Sequence, residues 1–145
     1  MLTTAKQVIE QEIEGLKALE DALGQNFIDA VNLIVACKGK IVISGMGKSG
    51  HIARKIAATF ASTGTPAIFV HPAEASHGDL GMITKDDAVI LLSNSGETAE
   101  LKDIIFYCKR FSIPIIGIVR RKTSTLVEAS TIPFILPDVA EASTV

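Results

Sequence analysis

"KIVISGMGKSGHIARKIAATFAS", residues 40–62, decides the fold. Residues 40–45 form a short β-branched apolar run, and 45–50 a glycine-rich turn. From 48 to 62 small side chains recur at Ala53, Ala57, Ala58 and Ala61 in helical spacing. A strand that passes through a tight turn straight into a helix is half of a βαβ unit. Working outward, continuous apolar runs recur at 66–70, 87–93, 113–119 and 131–136, with helical stretches at 97–110 and 123–129 and a shorter one near 73–80. Strands that are apolar throughout, separated by helices, belong to a parallel sheet covered on both faces. Right-handed crossovers then predict an α/β, three-layer αβα sandwich around a doubly wound five-stranded parallel sheet. Such sheets bind ligands outside the carboxyl ends of their strands. The loops to inspect are therefore 45–50, 71–79, 93–98, 119–123 and 137–141.

Upstream, residues 4–23 carry an apolar stripe at Ile9, Ile13, Leu16, Leu19 and Leu23, which predicts an amphipathic helix ended by Gly24. A second helix restarts with Asn26 as N-cap and closes before Gly39. The 145 residues read as one domain, with N-terminal helices over 1–37 and a sheet core over 38–142, and no internal repeat or linker.

The composition is that of an ordinary globular domain, and a net charge of −2 gives no electrostatic reason for nucleic acid or an anionic membrane as partner. The basic clusters, Lys109-Arg110 and Arg120-Arg121-Lys122, read as solvated helix ends and loops. Cys37 and Cys108 read as buried free thiols in a reducing cytosol, and the three histidines lack zinc-motif spacing. With no signal-peptide core and no apolar stretch of membrane-spanning length, the expected location is cytoplasmic.

Gly45, Gly47 and Gly50 spell G-x-G-x-x-G, while Gly47-Lys48-Ser49 resembles the tail of a phosphate-binding P-loop. The P-loop requires glycine where Val42 stands, and that reading fails. The dinucleotide reading requires an acid at the end of the next strand, which ends in Val70-His71 instead. A second loop decides between ligands. "SNSGET", residues 93–98, follows the third strand and opens the next helix with Ser93, Ser95 and Thr98 as hydroxyls and Gly96 for close backbone approach. Hydroxyls combined with the amides of a helix N-terminus suit a phosphate monoester without arginine, whereas an ordinary N-cap needs only one of them.

S-x-S-G-E-T after the third strand and G-M-G-K-S-G after the first resemble the sugar isomerase (SIS) domain of phosphosugar-binding proteins. The resemblance runs from about Lys38 to Ala142. "GMGKSGHIARKIAATFASTGTPAIFVHPAEASHGDLGMIT", residues 45–84, is similar in particular to the D-arabinose-5-phosphate isomerases, which supply the precursor of 3-deoxy-D-manno-octulosonate for lipopolysaccharide or capsule. The resemblance implies an aldose-ketose isomerase acting through an enediolate, with no required cofactor and a homotetrameric assembly.

That chemistry needs a base near carbon, an acid for the oxygens and stabilisation of the oxyanion. Glu100 lies one turn after Gly96, where partial desolvation would raise its pKa; the residues alone leave it equally a solvated carboxylate paired with Lys102. Lys48 is likewise open between a solvated lysine and a cation facing the sugar, and Glu141 alone is indistinguishable from a surface acid. The resemblance implies that Lys48, Glu100 and Glu141 are catalytic. It further implies substrate contacts from Gly47, Ser49, Gly64, Thr65, His71, His77 and Asn94, alongside Ser93, Ser95, Gly96 and Thr98, and an inhibitory zinc at His71. His51 reads as structural, and Glu97 as bonding back within its own helical turn.

Many members of this subfamily continue into a Pro-Thr-Ser/Thr-rich segment, a catalytic histidine and a pair of CBS domains. The sequence stops at Val145, ahead of these. The expectation is that these 145 residues bind substrate and turn it over poorly. Two other readings stay open: a non-catalytic phosphosugar sensor, and a SIS isomerase for another phosphosugar.

Overall fold

A computed structural model describes residues 1–141, so the last expected residue of the sheet core, Ala142, lies outside the described residues. Helices α1 (Leu2–Ala22) and α2 (Gln25–Ala36) precede an alternating series: β1 (Ile41–Gly45), α3 (Lys48–Ser62), β2 (Ala67–Phe69), α4 (Pro72–Ser76), β3 (Ala88–Leu92), α5 (Lys102–Arg110), β4 (Ile115–Val119), α6 (Thr125–Ala129) and β5 (Ile132–Ile135). The five strands form one parallel sheet in the order β2-β1-β3-β4-β5. Strand order reverses between β1 and β3, so the loops leaving those two strands open side by side at the carboxyl edge. The predicted fold class is the observed one.

β1 and β3 are buried along their whole length because both faces are covered. Val42, Val89 and Leu91 face a core shared with Leu101, Ile104, Cys108 and Leu126, which belong to the side of α4, α5 and α6. Ile41, Ile43, Ile90 and Ile116 face the opposite core, shared with Ala30 of α2 and Ala53 and Ala57 of α3. Small residues on α3 let that helix sit close to β1: a Cβ on Gly50 would lie 2.6 Å from the Gly45 carbonyl oxygen. Two of the fingerprint's three glycines are thus accounted for by helix-on-strand packing. Pro133 sits inside β5 without breaking the ladder because β5 is an edge strand with a single neighbour.

Two predicted helices are shorter than their periodicity suggested. The one near 73–80 ends at Ser76, since Gly78 adopts φ 133°, and a 3₁₀ turn (Asp79–Met82) follows. The one at 97–110 begins as a 3₁₀ turn (Ala99–Leu101), because Gly96 (φ 69°) and the extended Thr98 hold the chain out of helical geometry. α1 contributes no buried residue, leaving Ile9, Ile13 and Leu16 of its stripe exposed. No helix among the described residues is long and apolar enough to cross a membrane.

At the amino edge Asp87 fastens two strands. Its carboxylate accepts from the backbone N–H groups of Lys40 and Thr84, each at 2.8 Å, and from the Lys40 ammonium at 2.9 Å. Burial pushes the carboxyl up, but these donors outweigh it and hold Asp87 below its ordinary value. Cys108 is buried, and desolvation pushes its thiol up to about 12, which makes it inert. Cys37 differs from expectation in being only half-buried, with its thiol 3.4 Å from the Asp86 carbonyl oxygen.

Candidate active site

The loop from Ser93 to Thr98 is built largely by its own hydroxyls. Ser93 is buried, and its Oγ accepts from the Gly96 N–H at 2.9 Å while lying 2.7 Å from Thr98 Oγ1. The exposed Ser95 accepts from the Glu97 N–H at 3.2 Å. Two amides expected to serve a ligand are therefore spent within the loop. An accepting hydroxyl keeps its proton to donate, so Ser95 can still donate outward; Ser93 and Thr98 share one bond and offer one proton between them.

Gly96 is pressed against α6, where a Cβ would collide with the Ser124 hydroxyl, and its carbonyl accepts from Leu126 N–H at 3.1 Å. Glu97 does not bond within its own turn as the sequence suggested. Its carboxylate crosses to Thr125, accepting from the backbone N–H at 2.8 Å and the hydroxyl at 2.7 Å. Those two donors hold its carboxyl below the ordinary value. A contact 28 residues away in sequence has no local signature.

Beside this loop Gly47 takes φ 58° and caps α3, so Lys48 emerges at the first helical position and Ser49 follows half-buried. A hollow of about 650 Å³ lies here, between Lys48, Ser49, Asn94 and Glu141 on one side and Gln11 and Leu16 of α1 on the other. It brings together four of the residues singled out in the sequence.

The others lie elsewhere. His71 caps α4, its Nδ1 accepting from Ala73 N–H at 3.3 Å, and His77 ends the same helix, exposed. Glu100 is exposed on the 3₁₀ turn beside α4, without the desolvation expected for it. His51 is exposed on α3. Gly64 and Thr65 follow α3 and precede β2, at the amino edge, the far end of the sheet from Lys48. Among the described residues no three His, Cys, Asp or Glu side chains gather as a metal-holding group.

A parallel sheet with a hydroxyl-lined loop and a lysine-tipped helix at its switch point defines a phosphosugar-binding α/β domain. The SIS domain family model matches residues 34–145, and the chain belongs to that family. It is 52% identical over 127 residues to the arabinose 5-phosphate isomerase KdsD of Escherichia coli (strain K12), covering 88% of this chain and 39% of that protein. It is 50% identical over 129 residues to KdsD of Pseudomonas aeruginosa, covering 89% of this chain and 40% of that one. The solved structure of c3406 from E. coli CFT073, in complex with A5P, superposes with a TM-score of 0.92 at 42% identity, over 99% of this chain and 76% of that one. The chain spans about two-fifths of the length of the KdsD relatives.

Proposed function

We propose that the carboxyl edge binds the phosphate of a five-carbon sugar phosphate at the Ser93–Thr98 loop and interconverts D-arabinose 5-phosphate and D-ribulose 5-phosphate, a step toward 3-deoxy-D-manno-octulosonate. The observation that carries this reading is the Ser93–Thr98 loop itself, locked by Glu97 against α6 and opening beside the hollow that holds Lys48. A carboxylate takes the C2 proton while the C1 oxygen is protonated, giving an enediol. Return of a proton to C1 and loss of the O2 proton complete the ketose. Lys48 stabilises the oxyanion, and Glu100 and Glu141 are the carboxylates for proton transfer. The reaction requires no cofactor.

The same reading places the chain in a cytoplasmic homotetramer, supported by apolar side chains that one copy leaves in water: Ile9 and Ile13 on α1, and Phe27 and Val35 on α2. An inhibitory zinc at His71 would use Nε2, the ring nitrogen not engaged by Ala73, with its remaining ligands from outside this chain.

The test is calorimetry with arabinose 5-phosphate and arabinose. The phosphorylated sugar binds and the free sugar does not. Ser95→Ala weakens binding by about tenfold or more, since a charge-assisted hydrogen bond contributes about 1.5–3 kcal/mol. Equal affinity of the parent for both sugars would remove the phosphate from the reading.

A further inference from the structure

We propose that Arg120 is a phosphate-binding arm of this site, parked on Asp138 when no anion is present. The inference rests on the phosphosugar reading above and adds to it a residue that the sequence left among solvated loop cations.

The need for a further partner comes from the loop. A phosphate monoester dianion carries two charges, yet residues 93–98 hold no cation: Ser93 and Thr98 share one bond, and the Gly96 and Glu97 amides are committed to Ser93 and Ser95. Arg120 is placed to supply that cation. It is the first residue after β4, and its N–H donates to the Asn94 carbonyl at 3.2 Å, which fixes its backbone alongside the loop. A second hollow of about 460 Å³, bounded by Ser95, Arg121, Lys122 and Asp138, lies next to the hollow of Lys48. Asn94 and Arg120 are the residues common to the walls of both, so Arg120 adjoins the hollow of Lys48 and that of Ser95 alike.

Its present partner is weak. Arg120 Nη1 lies 3.4 Å from Asp138 Oδ1, with side chains 46% and 87% exposed. Such a pair contributes about 0–1 kcal/mol. A phosphate offers the guanidinium a bidentate geometry and a higher charge, and displaces the carboxylate. Asp138 is the acid that borders the second hollow, against the three cations Arg120, Arg121 and Lys122. The pair is therefore a holding contact: it keeps the arm ordered near the loop and competes with the ligand.

Competition makes the two partners oppose each other, which a structural ion pair would not do. Arabinose 5-phosphate is titrated by calorimetry into the chain, Arg120→Ala and Asp138→Asn, with thermal melts as a folding control. Arg120→Ala is expected to weaken binding about tenfold or more, and Asp138→Asn to tighten it roughly two- to fivefold, with melting temperatures unchanged. Arg120→Lys recovers only part of the loss, since an ammonium cannot make the bidentate contact. If the parent binds and Arg120→Ala binds within twofold of it, the arm is overturned while the phosphosugar site stands. If Asp138→Asn weakens binding as much as Arg120→Ala, the pair is structural and the arm is again overturned. If the parent binds no sugar phosphate, the phosphosugar reading falls and takes this inference with it.

Discussion

Glu97 and Thr125 are bonded twice, backbone N–H to Oε1 at 2.8 Å and hydroxyl to Oε2 at 2.7 Å. Together with the Leu126 N–H to Gly96 carbonyl bond, this ties the loop after β3 to the first turn of α6. Glu97 thereby acts as a cap for a helix to which it does not belong, accepting an N–H that α6 leaves without an internal partner. The loop is shaped before any ligand arrives, so less ordering cost is deducted from binding.

The Glu97 contact gives the fold an acid-side dependence. Its folded pKa lies below the ordinary 4.5, so its contribution is complete above that value and fades as pH falls through the lower folded value. Thermal melts between about pH 5 and about pH 3 should show Glu97→Gln losing less stability across the interval than the parent. Parallel losses would assign acid sensitivity to other carboxylates. At neutral pH the same variant should bind arabinose 5-phosphate more weakly.

Asp87→Ala strands the N–H groups of Lys40 and Thr84 and leaves the Lys40 ammonium without its carboxylate. Removing one partner from a buried pair costs about 3–5 kcal/mol, and since Lys40 is partly exposed the lower end applies. Urea unfolding should show a lowered midpoint with an unchanged slope.

The proposed reaction leaves two carboxylates as candidates for proton transfer, and they occupy different places. Glu141 shares the hollow with Lys48, whereas Glu100 stands exposed beside α4. In a catalytically active, extended parent, Glu100→Gln should lower ribulose 5-phosphate formation by about 10²–10⁴-fold with binding held within a few fold. Near-normal turnover in that variant, with the loss appearing in Glu141→Gln, would transfer the role to the residue in the hollow.

The apolar side chains of α1 bear on assembly. Light scattering at micromolar concentration should give a multiple of the 15.4 kDa chain mass. Ile9→Glu with Ile13→Glu should reduce it toward that of the monomer, because charge at a buried apolar contact is strongly penalised. A parent already monomeric would contradict the assembly.

The sheet was legible because its information is local. Residues 88–92 are apolar without interruption, and 41–45 and 115–119 depart from that only at Ser44, Gly45 and Gly117; burial on both faces is what makes such a composition stable. The placing of the Ser93–Thr98 loop at the switch point followed from strand and helix alternation alone. What escaped depends on contacts distant in sequence: Glu97 on Thr125, Asp87 on Lys40, and Arg120 beside Asn94. In sequence Arg120 reads as a solvated loop charge and Glu97 as bonding within its own turn, and for Asp87 the sequence suggests no partner. The helix expected from 97 begins as a 3₁₀ turn because Gly96 must approach Ser124 with positive φ, a requirement set by α6 and absent from the helical spacing of 97–110.

α1 forms one wall of the hollow through Gln11 and Leu16, yet it buries no side chain of its own. A helix held by so little sits at the low end of the local unfolding scale, since most helical stability in proteins comes from packing an apolar face. Occupancy of the hollow and docking of α1 are consequently one linked equilibrium. A sugar phosphate spanning Lys48 and Gln11 would act as a clasp, slowing amide exchange along α1 while leaving that of β3 unchanged. By reciprocity, whatever holds α1 in place from outside, a neighbouring subunit included, would raise the affinity of a site it need not touch.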